Sequence, residues 1–163
     1  MAGMAVEGKS KATDLLQLVV FELGGEEFGV EIMNVQEIIR MPEMTQIPHS
    51  PDFVEGVINL RGRIIVVVNL SKRFNTRSRT TDENSRIIVV EIANAVVGMI
   101  VDSVNEVLRI PASNVEPAPE LVTSKVSRNY LKGVGKIDKR LLILLDLARV
   151  MTVEEVDEIA NLA

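Results

Sequence analysis

The chain has 163 residues, 47% of them apolar, a formal charge of −5 and no cysteine. That length holds one domain or two small lobes, and the missing thiols exclude disulfides and thiolate metal sites. The acidic balance argues against nucleic acid as the main partner. The longest apolar runs, such as residues 64–68 and 141–145, are far too short to span a bilayer. Aromatics are limited to four Phe and one Tyr, so the core is expected to be aliphatic and rich in β-branched side chains that suit pleated surfaces.

Residues 1–14 carry Lys9 and Lys11 but no apolar stretch of the kind a signal peptide needs, and are expected to be a disordered lead. Residues 15–23 read as an apolar strand, Gly24-Gly25 as a turn, and residues 26–32 as its return, a two-glycine hairpin signature. Residues 33–36 suggest one helical turn. A further extended run over 37–41 ends at Pro42, which lacks a backbone donor and restricts Met41. One amphipathic helix over 32–40 is the alternative, since Ile32, Val35 and Ile39 share a helical face. A second hairpin follows, residues 57–60 and 63–69 flanking Arg61-Gly62.

Residues 75–85 are polar and read as a connector, after which the pattern repeats. Shifted by 69 positions, Val20, Glu22, Gly29, Val35, Glu37, Arg40 and Pro42 meet Val89, Glu91, Gly98, Val104, Glu106, Arg109 and Pro111. Shifted by 77, Gly56, Val57, Arg63 and Leu70 meet Gly133, Val134, Arg140 and Leu147. The second copy therefore predicts strands over 86–92 and 96–101 about an Asn94-Ala95 turn, and a helical turn over 102–105. An extended run over 106–110 and a hairpin with Asp138-Lys139 at its tip complete the copy. Two copies are too few for a solenoid. The expected fold is all-β: two similar, closed or nearly closed barrels of about five short strands each, packed side by side. The first is assigned residues 15–80 and the second 81–150, with strand exchange between them left open. The runs 64–68 and 141–145 are apolar on both strand faces, so one face fills a barrel and the other meets the sister barrel. A short helix over 151–163 closes the chain, with Thr152 as N-cap and Glu155 three positions on.

Catalytic chemistry is absent from this pattern. His49 is the only histidine, and without cysteine or a second histidine the usual nucleophile–base pairs and soft-metal sites cannot be built. It is expected to be a solvated loop residue. Gly133-Val-Gly135-Lys136 lacks the spacing of a phosphate loop and reads as a strand with glycines for close packing. No enzyme activity, cofactor or metal is expected. The cations Arg61, Arg63, Lys72, Arg73, Arg77 and Arg79 have only Phe74 among them as a stacking platform. A small nucleic-acid-binding barrel is thus the second reading, drawn from fold alone. Arg61-Gly62 is of another kind, a guanidinium fork held out at a hairpin tip where it can meet a carboxylate or carbonyls. The second copy also has a longer loop: eighteen residues separate Pro111 from Tyr130, against ten between Pro42 and Phe53. The added segment holds Pro117, Pro119, Glu120, Leu121 and Val122, and its apolar residues either tuck into the core or form a docking surface.

Residues 53–62 (Phe-Val-Glu-Gly-Val-Ile-Asn-Leu-Arg-Gly), 35–39 (Val-Gln-Glu-Ile-Ile), 97–102 (Val-Gly-Met-Ile-Val-Asp) and 117–120 (Pro-Ala-Pro-Glu) together resemble the CheW family of chemotaxis coupling proteins. The resemblance covers residues 15–150. It implies two joined SH3-like barrels and a non-catalytic adaptor in the cytoplasm, recruited to membrane-associated receptor arrays without inserting in the membrane itself. The partners it implies are the cytoplasmic tip of methyl-accepting chemoreceptors and the regulatory domain of the histidine kinase CheA, with no nucleic acid. Val35, Glu37, Arg61 and Gly62 would belong to the receptor-binding groove, and Pro117, Pro119, Glu120 and Leu121 would lie near a kinase contact. The chain departs from the family at Val66, where Pro is frequent, and at Asn69, where Asp is frequent.

Overall fold

The computed structural model describes residues 14–74, 81–123, 126, 128–151, 155 and 158. The expected lead, most of the 75–85 connector and most of the terminal helix with its Thr152 cap lie outside the described residues. Glu155 and Glu158 of that helix are described, and both are helical.

Eleven strands are described: β1 (Leu15–Leu23), β2 (Glu26–Glu31), β3 (Val35–Arg40), β4 (Val54–Leu60), β5 (Arg63–Asn69), β6 (Arg86–Ile92), β7 (Ala95–Val101), β8 (Ser103–Pro111), β9 (Val115–Glu116), β10 (Leu131–Ile137) and β11 (Arg140–Leu145). Three single-turn helices accompany them: α1 (Leu70–Arg73), α2 (Glu120–Thr123) and α3 (Leu147–Val150). Residues 35–40 form a strand, so the single-helix alternative for 32–40 does not hold. The helical turn expected over 33–36 is a 3-10 turn at Ile32–Asn34. Its counterpart over 102–105 is absent, because β8 already pairs with β1 from Ser103, opposite Glu22. The first hairpin of the second copy turns one residue early, at Ala93-Asn94, because Ile92 pairs with Ala95. Both turn residues have positive φ (47° and 69°), as two-residue hairpins require.

The strands form a six-stranded sheet in the order β8-β1-β2-β11-β10-β9 and a five-stranded sheet in the order β3-β6-β7-β5-β4. Sheet membership therefore crosses the 80/81 division expected from the repeat. The first hairpin of each copy joins the remaining strands of the other copy, by parallel pairing of β2 with β11 and of β7 with β5. The cause is local. The junctions at 31–35 and at Asp102 contain no positive-φ residue, so the chain runs onward instead of folding back as a hairpin.

Each sheet curls over its own aliphatic cluster. Ile58, Ile65, Val67, Ile87, Val89 and Ile100 fill the five-stranded sheet, with Ile39 and Leu60 from its two edge strands packed against them. Leu18, Val20, Ile110, Leu142 and Leu144 fill the other. A third, larger cluster joins the sheets and takes the alternate residues of the same strands, Val66 and Val68 from β5 and Ile143 and Leu145 from β11. Alternation along a strand sends successive side chains to opposite faces, so the doubly apolar runs serve a barrel interior and the joint core at once. Phe21, Phe28, Phe53 and Phe74 all belong to that joint core, and Tyr130 packs against it. The barrel interiors are aliphatic, whereas the few aromatics gather between the sheets.

Two glycines hold the barrels closed. Thr45 bridges to Val57 of β4, and Glu116 of β9 pairs with Val134 of β10. In both places the carbonyl faces a glycine, Gly56 (φ +156°) and Gly133 (φ +149°). A Cβ on Gly56 would stand 2.5 Å from the Thr45 oxygen, and one on Gly133 would stand closer still to the Glu116 oxygen. Only a residue without Cβ lets these strands approach so closely. Asn69 and Asp146 are a further repeated pair: Asn69 Oδ1 accepts from the Lys72 amide at 3.2 Å and Asp146 Oδ1 from the Ala148 amide at 3.1 Å. The departure at Asn69 thus keeps the cap.

Candidate functional site

The Asn59-Leu60-Arg61-Gly62 segment makes the β4–β5 turn. Arg61 (φ 53°) and Gly62 (φ 86°) are both left-handed, and the Gly62 amide donates to Asn59 Oδ1 at 2.8 Å. That geometry lifts the Arg61 side chain into solvent, where it is 72% exposed. Its fork is occupied: NH1 donates to Glu37 Oε1 at 3.2 Å and NH2 to Glu37 Oε2. The Glu37 carboxylate accepting these bonds raises the guanidinium pKa above its already high value. Glu37 lies on β3 and Arg61 on the tip beyond β4, the two outer strands of the five-stranded sheet. The pair therefore ties opposite edges together.

Val35 is placed differently from Glu37. A bulge lies between them, with Val35 opposite Val90 and Glu37 opposite Val89. Alternation would put residues two apart on one face, but the extra residue re-aims them. Val35 packs on the joint core, while Glu37 faces the side of the tip. Ile38, opposite Ile88 on the Val35 side, is 38% exposed. The expected groove thus resolves into an edge strand with an apolar side (Val35, Ile38) and a charged side (Glu37, Arg61, Gly62). Sequence reading missed Ile38, although the apolar doublet Ile38-Ile39 signals apolar residues on both strand faces.

The second sheet keeps the acid and moves the base. Glu106, the counterpart of Glu37, accepts from Arg140 NH2 at 2.8 Å, so the arginine comes from the Arg63 position instead of the tip. The tip residue Asp138 has φ 52°, nearly that of Arg61. Arg140 also donates twice to Glu27, at 3.1 and 2.9 Å, and these bonds, with one from Asn105, hold the Glu27 carboxyl below its ordinary 4.5 against the opposing effect of burial. A depressed folded pKa contributes stability above the unfolded value, and the contribution is lost as pH falls through the folded one. The native chain is accordingly expected to exceed Glu27→Gln in urea midpoint at pH 7, and to lose that margin as pH drops below 4.5. A margin that stays constant with pH would rule this out.

Residues 117–119 lead into α2, which holds Glu120 and Leu121. Pro117, Pro119 and Glu120 are exposed, and the Pro119 carbonyl accepts from the amides of Val122 (3.0 Å) and Thr123 (3.1 Å). The two apolar residues divide: Val122 is buried in the joint core, and Leu121 is 75% exposed. Beside the loop lies a cavity of about 160 Å³ lined by Pro117, Ala118, Arg128, Leu131, Lys132 and Gly133. This region belongs to the six-stranded sheet, so the two groups of candidate residues sit on different sheets.

Of the four described cations considered for nucleic acid, three pair with acids within the chain. Arg61 pairs with Glu37, Lys72 with Glu55 and Arg73 with Glu155. Arg77 and Arg79 lie outside the described residues. His49 is exposed at a left-handed loop position. Among the described residues no three of His, Cys, Asp and Glu are grouped so as to hold a metal, and no helix is long and apolar enough to cross a membrane.

Comparison with known proteins bears on the same elements. The family model described as CheW-like domain matches residues 17–155. The chain is 38% identical over 164 aligned positions to the chemotaxis protein CheW of Klebsiella aerogenes, covering all of this chain and 98% of that one. It is 33% identical to the chemotaxis protein CheW of Treponema pallidum, covering 90% of this chain and 88% of that one. Among solved structures, the scaffolding protein TtCheW from Thermoanaerobacter tengcongensis superposes with a TM-score of 0.78 at 38% identity, covering 86% of this chain and 90% of that one.

Proposed function

The chain belongs to the CheW family of non-catalytic chemotaxis scaffolds, and on that premise we propose that it couples the cytoplasmic helical tips of transmembrane chemoreceptors to the regulatory domain of the histidine kinase CheA. The observation that carries this reading is the separation of two unlike surfaces, the β3 edge with Glu37 and Arg61 on one sheet and the exposed Leu121 on the other. One chain with two such faces suits an adaptor that holds two partners at once.

On the receptor side, an apolar helix face lies along Val35 and Ile38 in the manner of helix-in-groove recognition, and Arg61 with Gly62 sets its orientation at the rim. The fork of Arg61 is already engaged, so a receptor carboxylate exchanges with Glu37 instead of filling an empty site. On the kinase side, Leu121 is the apolar anchor and Pro117, Pro119 and Glu120 stiffen and frame it. Each contact is small, and linkage within an array supplies avidity. Ligand state then biases the kinase by shifting the assembly between arrangements. The chain reaches the membrane through its receptor partner.

The test is a backbone chemical-shift titration with a receptor tip fragment and, separately, with the kinase regulatory domain. Two non-overlapping patches are expected, one holding Glu37, Arg61 and Gly62 and the other holding Leu121. Leu121→Asp is expected to remove the kinase-domain shifts and leave the receptor patch in place. One shared patch, or silence with both partners, would overturn the reading.

A further inference from the structure

Arg73 ends α1, the helical turn after β5, and Val150 ends α3, the same turn after β11 in the other copy. The 77-residue shift superposes them, and in the fold they touch: Arg73 Nε donates to the Val150 carbonyl at 2.8 Å. The rest of the guanidinium fork meets the tail, NH1 on Glu155 Oε2 at 2.8 Å and NH2 on Glu155 Oε1 at 2.7 Å. The same group lies 5.0 Å from the Phe53 ring centroid and 5.4 Å from that of Tyr130. Phe53 leads into β4 of the five-stranded sheet and Tyr130 into β10 of the six-stranded sheet. The Arg73 side chain is only 15% exposed, well shielded for a guanidinium.

We propose that Arg73 and Glu155 form a clasp that fixes the register of the two sheets against each other. The joint core holds the sheets together, but apolar contact is non-directional, and packed elements can slide by small shear displacements. A bidentate ion pair is directional, and here it is braced by one aromatic ring from each sheet. Arg73 thus acts as a positioning residue between the β3 edge and Leu121. That consequence for coupling rests on the function proposed above, whereas the clasp itself is testable without either partner.

The chain has no native cysteine, so spin labels can be placed cleanly. Glu91→Cys on β6 with Lys139→Cys at the β10–β11 turn reports between sheets, and Glu91→Cys with Arg63→Cys on β5 reports within one sheet. All three positions are exposed. In both Arg73→Gln and Glu155→Gln, the inter-sheet distance distribution is expected to widen at least about twofold or to split, with the within-sheet distribution unchanged. Parent-like inter-sheet width in either variant, or equal widening within the sheet, overturns the clasp. Glu155→Gln removes only the charge of a part-exposed tail carboxylate, so the fold survives for the measurement.

Discussion

Arg61→Asp is expected to weaken binding to the receptor tip at least about tenfold, while the fold stays intact. The structural tolerance comes from the chain itself. The sister turn carries Asp138 at φ 52°, and Arg61 sits at φ 53°, so aspartate suits the backbone there. The Arg61 side chain is 72% exposed, and surface ion pairs contribute little to stability. The functional loss comes from charge. An aspartate beside Glu37 turns a neutralised rim into an acidic one, and it repels any receptor carboxylate that would have used the fork. Rim charges set orientation and association rate, and like charges brought together oppose docking. Calorimetric titration with a tip fragment, paired with a thermal melt, measures both halves. Wild-type affinity in a folded Arg61→Asp protein would remove Arg61 from the receptor site. An unfolded variant would instead assign the Glu37–Arg61 tie a structural role.

The largest expected loss of stability belongs to Gly133→Ala. The new methyl would collide with the Glu116 carbonyl oxygen, a backbone atom whose position β9 holds by pairing with β10. The φ of +149° adds strain for any residue with a Cβ. Overpacking and strain together come to about 3–5 kcal/mol, a large share of the 5–15 kcal/mol typical of a whole domain. Gly56→Ala is expected to behave alike, since its methyl meets the Thr45 carbonyl at 2.5 Å. Gly62→Ala serves as the control. Nothing lies within 4 Å of its new methyl, so only the left-handed φ is penalised, at about 1–2 kcal/mol. Urea unfolding of the three variants separates the cases, and equal losses at Gly62 and Gly133 would show that the carbonyl contact does not matter.

The aligned glycines are legible in the sequence because a repeat keeps what its backbone cannot do without. Gly56 and Gly133 stand 77 residues apart and face equivalent carbonyls. The doubly apolar runs at 64–68 and 141–145 likewise announced two buried faces: apart from the exposed Ile64 and Leu141, alternate residues divide between barrel interior and joint core. Asn59, Arg61 and Gly62 announced their turn through residue chemistry, and the resemblance to the CheW family rested on the same segment. Other features had no local signature. The bulge at Gln36 turns Val35 and Glu37 to opposite faces. Arg140 replaces the missing tip arginine from two positions away. Leu121 and Val122 are adjacent and equally apolar, yet one is buried and the other is 75% exposed.

What the sequence by itself determined is therefore local and periodic: the all-β class, most strands with some ends off by up to three residues, the hairpin turns to within one residue, the two-copy plan and the family. These follow from alternation, turn chemistry and repetition, which act over a few residues and are written in residue identity. Only the tertiary structure decided which strands share a sheet. Each copy lends its first hairpin to the other, and the Glu37–Arg61 and Glu106–Arg140 ties join strands that have no backbone ladder between them. Strands of one apolar pattern are interchangeable at the level of sequence. The choice among pairings is made by long-range packing, in which the whole joint core is buried by one arrangement at once.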